Sequence, residues 1–153
     1  MSEVEIRTLL TPLSSGHILV PNSVVAEILE YSSPEPFTKA PVWLLGELEW
    51  HGWQVPVVSF LKLINKGSQD TVTKKSRILI IKTLGESTQL NYIGLLIQGL
   101  PRIKSVSAET LIENRQQVKS KVVFSEVKVD ETTALIPELA LLTQIIERTA
   151  YGK

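Results

Sequence analysis

The chain has no cysteine among its 153 residues. That excludes a disulfide framework, a thiolate zinc site, an iron–sulfur centre and a thiol nucleophile. Aromatic residues are scarce, 6% of the chain, and a stacking platform for single-stranded nucleic acid needs more of them. An excess of one charge is also missing: 16 Lys and Arg face 16 Asp and Glu, a formal net charge of zero. A dedicated nucleic-acid binder carries a surplus of base. The most apolar stretches, Ile78–Ile81 and Ile93–Ile97, fall far short of the ~20 residues of a membrane span. The amino terminus, Met1-Ser2-Glu3-Val4-Glu5, has neither the basic region nor the apolar core of a signal peptide. A bacterial-type cytoplasmic protein without membrane insertion is the expectation.

Motifs of catalysis are missing as well. The sequence contains no GxGxxG, no GxxxxGK[ST], no GxSxG elbow and no HExxH. Its two histidines, His17 and His51, fall in a predicted strand and a tight turn, where structural roles are expected. Glu47 and Glu49 lie two apart on one strand face, which reads as a solvated outer face rather than an acid–base pair. No catalytic residue, metal site, cofactor or small-molecule substrate is expected.

What is present is an ordinary globular composition, 43% hydrophobic and 21% charged. A chain of this length buries about 70% of its unfolded surface and forms one domain, or two small halves sharing a core. The zero net charge conceals a gradient. Residues 1–60 carry seven acids (Glu3, Glu5, Glu27, Glu30, Glu35, Glu47 and Glu49) against two bases, Arg7 and Lys39. Residues 61–153 carry nine acids against fourteen bases. Opposite ends of such a chain suit head-to-tail contacts with a similar partner.

Strand signals dominate. Val4–Thr11 and His17–Val20 read as a hairpin around Ser14-Ser15-Gly16, ended by Pro21. Asn22-Ser23 caps a predicted short helix whose Val24, Val25, Ile28 and Leu29 sit at helical spacing. Leu44–Trp50 and Trp53–Val58 flank His51-Gly52, a two-residue loop of the type that needs positive φ twice. Pro56 cannot donate to a ladder and predicts an edge or a bulge. The polar stretch 65–76 reads as a linker. Arg77–Thr83 and Tyr92–Gln98 are nearly continuously apolar, as strands buried on both faces are. A short helix near Ala108–Ile112, a last hairpin across Val129-Asp130-Glu131, and an amphipathic helix after Pro137 complete the reading. A faint echo of strand, turn, strand and proline break at 4–21 and 77–101 points to two similar small barrels.

Three tryptophans, Trp43, Trp50 and Trp53, lie within eleven residues. Core packing is their ordinary meaning, but a tryptophan beside a tight turn is also a candidate interface anchor, which keeps Trp50 and Trp53 in view. Arg102, Lys104, Lys119 and Lys121 form a candidate basic patch for a protein partner, or, in the alternative reading, for a small-barrel nucleic-acid-binding module.

Several segments resemble one family. Pro21–Glu27, Ala40-Pro41, Leu45-Gly46, Trp50-His51-Gly52 and Val55-Pro56-Val57-Val58 are similar to the first half of CheW-type chemotaxis coupling proteins. Tyr92–Leu100 and Ala134–Pro137 with its following helix are similar to the second half. The resemblance implies a mainly β fold: two SH3-like five-stranded β-barrel subdomains sharing a hydrophobic core, a short helix after the second strand, and a C-terminal helix. It implies one domain over 1–153, with subdomains at 12–75, on which the C-terminal helix region packs, and 76–136. It also implies a non-enzymatic adaptor that binds the regulatory domain of a CheA-type histidine kinase and a chemoreceptor signalling tip.

Carried over by position, the receptor groove falls on Val25, Glu27, Gly46, Glu49 and His51, and Gln98 joins the candidate anchors. His51 stands where the family has arginine, Glu49 where it has asparagine, and Gln98 where it has an acid. A neutral imidazole does not replace an always-charged, multidentate guanidinium. These departures imply a divergent paralogue, such as an auxiliary adaptor of a pilus-type (twitching-motility) chemosensory system.

Overall fold

The structure, a computed structural model, describes residues 4–83, 90–107, 111–113 and 120–152. The first hairpin is β1 (Ile6–Pro12) and β2 (His17–Pro21). A 3₁₀ turn at Asn22–Val24 leads into β3 (Val25–Glu30). Next come β4 (Leu44–Trp50), β5 (Trp53–Val58), the short helix α1 (Phe60–Ile64), β6 (Arg77–Lys82) and β7 (Tyr92–Ile97). The chain then runs through β8 (Arg102–Val106), β9 (Ile112–Glu113), β10 (Val123–Val129), β11 (Thr132–Pro137) and α2 (Leu139–Tyr151).

The expected pair of closed five-stranded barrels is not what forms. Two open mixed sheets do: one of six strands in the order β8-β1-β2-β11-β10-β9, one of five in the order β3-β6-β7-β5-β4. In the five-stranded sheet, closure would require a ladder along the outer edge of β4. Among the described residues one reaches it: Glu35 exchanges two backbone hydrogen bonds with Glu47, at 2.9 and 2.8 Å. Pro34 and Pro36 flank Glu35 and have no N–H to donate, so the pairing stops at one bridge. In the six-stranded sheet the outer strand β9 has two residues, both paired to β10, and β8 pairs with β1.

The helix expected over residues 22–29 is likewise a strand beyond its first turn. A bulge between Val25 and Glu27 shifts the register of β3 against β6. The extra residue changes the alternation, so apolar side chains two-faced on a bulged strand imitate helical spacing. Val24, Val25 and Ile28 face the main core, while Ala26 and Leu29 face a smaller cluster. The strand partner, not local propensity, decides.

Helix α1 carried no clear sequence signal. Ser59 caps it, its hydroxyl accepting from the Lys62 N–H at 3.2 Å. The helix expected near Ala108–Ile112 lies partly outside the described residues, and Ile112–Glu113 is strand. Pro56 sits on β5, which is internal between β7 and β4; pairing with β7 begins one residue later, at Val57↔Gly94, so the missing donor costs no ladder bond there.

The main core lies between the two sheets and under α2. It joins Leu9, Ile18 and Val20 to Leu79, Ile81, Ile93 and Leu95, with Leu142 and Ile146 from the helix. Smaller clusters occupy the other face of each sheet. β6 and β7 are therefore buried on both sides, as their continuous apolar character demands.

Candidate protein-binding site at the hairpin end

The β4–β5 hairpin closes with Trp50 opposite Trp53. His51 and Gly52 take φ of 48° and 82°, the left-handed values that a tight two-residue loop requires at both positions. This fixes the tip and points Trp50 across the face of the sheet. Its indole Nε1 donates to Glu27 Oε1 of β3 at 2.8 Å, and His51 Nε2 lies 3.4 Å from the same oxygen. Trp50 meets Tyr92 of β7 edge-on at 4.8 Å, and Trp53 meets the same ring at 5.3 Å. β3 and β4 are opposite edges of the sheet, so these contacts hold its curl.

The fold thus brings together Glu27, Trp50, His51 and Trp53, and adds Tyr92, which sequence reading did not single out. The His51–Glu27 pair is solvent-exposed, with side chains 70% and 44% accessible, and contributes little energy on its own. Trp50 is half-buried, and Trp53 is exposed.

The other carried-over positions are distributed around this cluster. Val25, two residues before Glu27, is half-buried against the main core. Gly46 lies beneath the 34–35 segment, where a side chain has no room. Glu49 is exposed and pairs with Gln54, on the hairpin face opposite Trp50.

Gln98 is committed internally. Its Nε2 donates to Asp70 Oδ1 at 3.2 Å and to the Thr71 carbonyl at 2.9 Å, and its Oε1 accepts from Ser76 Oγ at 2.7 Å. Of the basic residues, Arg102 and Lys104 lie on β8, and Lys104 Nζ pairs with Asp130 Oδ2 at 3.1 Å. Lys121 is exposed ahead of β10; Lys119 lies outside the described residues.

A second contact missed from sequence ties α2 to β4. The Tyr151 hydroxyl donates to Glu47 Oε2, and its ring meets Phe37 edge-on at 5.9 Å. Burial, then the hydrogen bond to the Glu47 carboxylate and its charge, push the Tyr151 pKa above the usual tyrosine range. The folded state therefore holds this proton longer than the unfolded chain does. The resulting stabilisation is complete below about pH 10 and is lost as pH rises through the folded-state value. Urea midpoints measured from neutral to strongly alkaline pH should fall above about pH 10, and Tyr151→Phe should flatten that fall. An equal slope in the variant would remove Tyr151 as its source.

Among the described residues, no group of three or more His, Asp or Glu side chains is placed to hold a metal ion. No described helix is long and apolar enough to cross a membrane.

Residues 7–147 match the family model for the CheW-like domain, which is nearly the whole chain. The chain belongs to the CheW-like family. Family members are non-catalytic scaffolds of chemotaxis, and this CheW-like chain is not an enzyme. Among solved structures it is similar to the scaffolding protein TtCheW from Thermoanaerobacter tengcongensis. The two share 20% identity and superpose with a TM-score of 0.75, over 91% of this chain and 92% of that one. At that identity the likeness speaks for the fold. No curated protein matches the sequence.

Proposed function

We propose that this CheW-like chain couples chemoreceptor signalling tips to the regulatory domain of a CheA-type histidine kinase, by binding alone. The observation that carries the reading is the coherence of the hairpin end. Residues from β3, the β4–β5 tip and β7 converge on one surface, rigidified by ring contacts and a hydrogen bond to Glu27. A preordered surface loses little conformational freedom on association, which favours a grip that transmits strain between partners.

Purified chain mixed with receptor tips and kinase regulatory domains from the same cell should form a complex on a sizing column. No complex with any such pair would overturn the reading. Val25 is partly exposed and is a position that the resemblance assigns to the receptor groove, so Val25→Asp should weaken receptor-tip binding at least about tenfold, the scale of one lost interface hot spot. Circular dichroism establishes that the variant remains folded; unchanged affinity in a folded variant would remove Val25 from the groove.

A further inference from the structure

The end of the five-stranded sheet away from the hairpin cluster is polar. Tyr92, which meets Trp50, pairs with Lys82 at the last residue of β6, whereas Arg77, the first residue, pairs with Glu30 of β3. At the Arg77 end a cleft of about 320 Å³ is lined by Glu30, Tyr31, Thr73, Lys74, Ser76 and Arg77. That volume is at the lower end of the ~300–1,000 Å³ of small-molecule sites.

Its walls are held in place. Across the 73–76 turn the Ser76 N–H donates to the Thr73 carbonyl at 3.1 Å, and the Thr73 N–H donates to Ser76 Oγ at 2.8 Å. Ser76 is buried, and its hydroxyl donates onward to Gln98. The Lys75 N–H donates to Thr73 Oγ1 at 3.1 Å, so the Thr73 hydroxyl keeps its own proton to give. Tyr31 packs against the cluster of Val55, Val57, Ile78 and Ile80, and its hydroxyl has no hydrogen-bond partner among the described residues. Arg77 is half-buried, and Nη1 donates to the Ser76 carbonyl at 3.1 Å, which sets the guanidinium at the cleft wall with further N–H groups to spare.

The charge is unbalanced. Among the described residues neither Arg77 nor Lys74 forms an ion pair. Glu30, exposed, is the one acid of the lining, which leaves two cations against one carboxylate, and exposed Lys75 adjoins Lys74. A guanidinium, an ammonium and two hydroxyls come from three stretches of chain. Donors so dispersed suit a tetrahedral oxyanion, whose oxygens point in several directions, over a carboxylate, whose acceptors lie in one plane. We propose that this cleft binds the phosphate group of a small phosphate monoester. The inference does not rest on the adaptor reading, because the cleft is at the other end of the sheet from the hairpin cluster.

The test titrates the full chain with inorganic phosphate, and separately with glycerol phosphate, at constant ionic strength. Binding is followed by NMR at the backbone amides of Thr73, Lys74, Ser76 and Arg77. Saturable shifts are expected for both, with Kd on the order of 1–10 mM, the range of a few charge-assisted contacts at an open site. Acetate should bind at least about fivefold more weakly. Arg77→Gln should weaken phosphate binding about tenfold, and Lys74→Gln, at an exposed position, roughly two- to threefold. Glu30→Gln, also exposed, removes the repelling charge and should tighten binding roughly two- to threefold. The two exposed variants keep the test decisive if Arg77→Gln does not fold. No saturable shift, acetate binding equal to phosphate, or phosphate affinity indifferent to Lys74→Gln and Glu30→Gln would each overturn the proposal. Saturation by inorganic phosphate without saturation by glycerol phosphate would overturn it too, as an adventitious ion only.

Discussion

Gly46→Ala is expected to lower the thermal midpoint by about 6–12 °C, the equivalent of roughly 3 kcal/mol in a chain of this size. A Cβ at this position would lie 2.5 Å from the Glu35 carbonyl oxygen, 2.8 Å from its carbon and 2.9 Å from Pro34 Cβ. Two of these atoms are backbone and cannot rotate away. The φ of 149° is itself unfavourable for any residue with a side chain, which costs about 1–3 kcal/mol. The only relief is to push the 34–35 segment off β4, which breaks both hydrogen bonds of the Glu35–Glu47 bridge at about 1 kcal/mol each. Calorimetry of the variant checks this. An unchanged midpoint would mean that Gly46 is required by a partner alone and not by the fold.

A comparable loss, about 2–4 kcal/mol, is expected for Asp70→Ala, because hydrogen bonds to a buried charged group are the costly ones to break. Asp70 is 6% exposed. Its Oδ1 accepts from Ser14 Oγ at 2.7 Å and from Gln98 Nε2, and its Oδ2 accepts from Ser59 Oγ. One carboxylate thereby holds the β1–β2 turn, the cap of α1 and the end of β7. Alanine leaves the Ser14 and Ser59 hydroxyls without their acceptor and Gln98 Nε2 with the Thr71 carbonyl alone, whereas Asp70→Asn keeps one carbonyl oxygen and should fall between. Urea unfolding of the three proteins gives the order directly. Equal midpoints for Asp70→Ala and the parent would show that water satisfies the donors.

That carboxylate illustrates where sequence reading stops. Residues 65–76 look like a linker because they are polar and contain glycine, yet Asp70 pins their middle to three distant elements. Nothing local announces it, since its partners Ser14, Ser59 and Gln98 are common residues 56, 11 and 28 positions away in the chain. The β4–β5 hairpin was legible for the opposite reason. His51-Gly52 between two tryptophans is a local instruction, satisfied by positive φ at both positions. The buried pair β6 and β7 and the closing helix were legible from apolar pattern alone.

The failures share a cause. A bulge at Val25–Glu27 and a single bridge at Glu35 are properties of strand pairing, which adds or removes one residue of register without marking either strand. At the candidate site, resemblance grouped Glu27 with His51, whereas Trp50 as the donor to Glu27, and Tyr92 beneath it, emerge only once β7 lies between β5 and β6. Tyr151 reaches Glu47 across 104 positions of sequence, beyond any local signal.

The order of strands in the two sheets has a temporal consequence. All five strands of one sheet lie within residues 25–97, while the other is assembled from residues 6–21 and 102–137. The inner sheet is thus nested inside the outer one, whose parallel contact of Leu135 with Ile18 spans most of the chain. During synthesis the inner sheet has every strand available while β1 and β2 still wait for β10 and β11. Closing so long a loop is slow in a free chain. A compact inner sheet shortens the effective gap by carrying residues 25 and 97 in one body, so the first part to fold becomes the template that brings the two ends of the protein together.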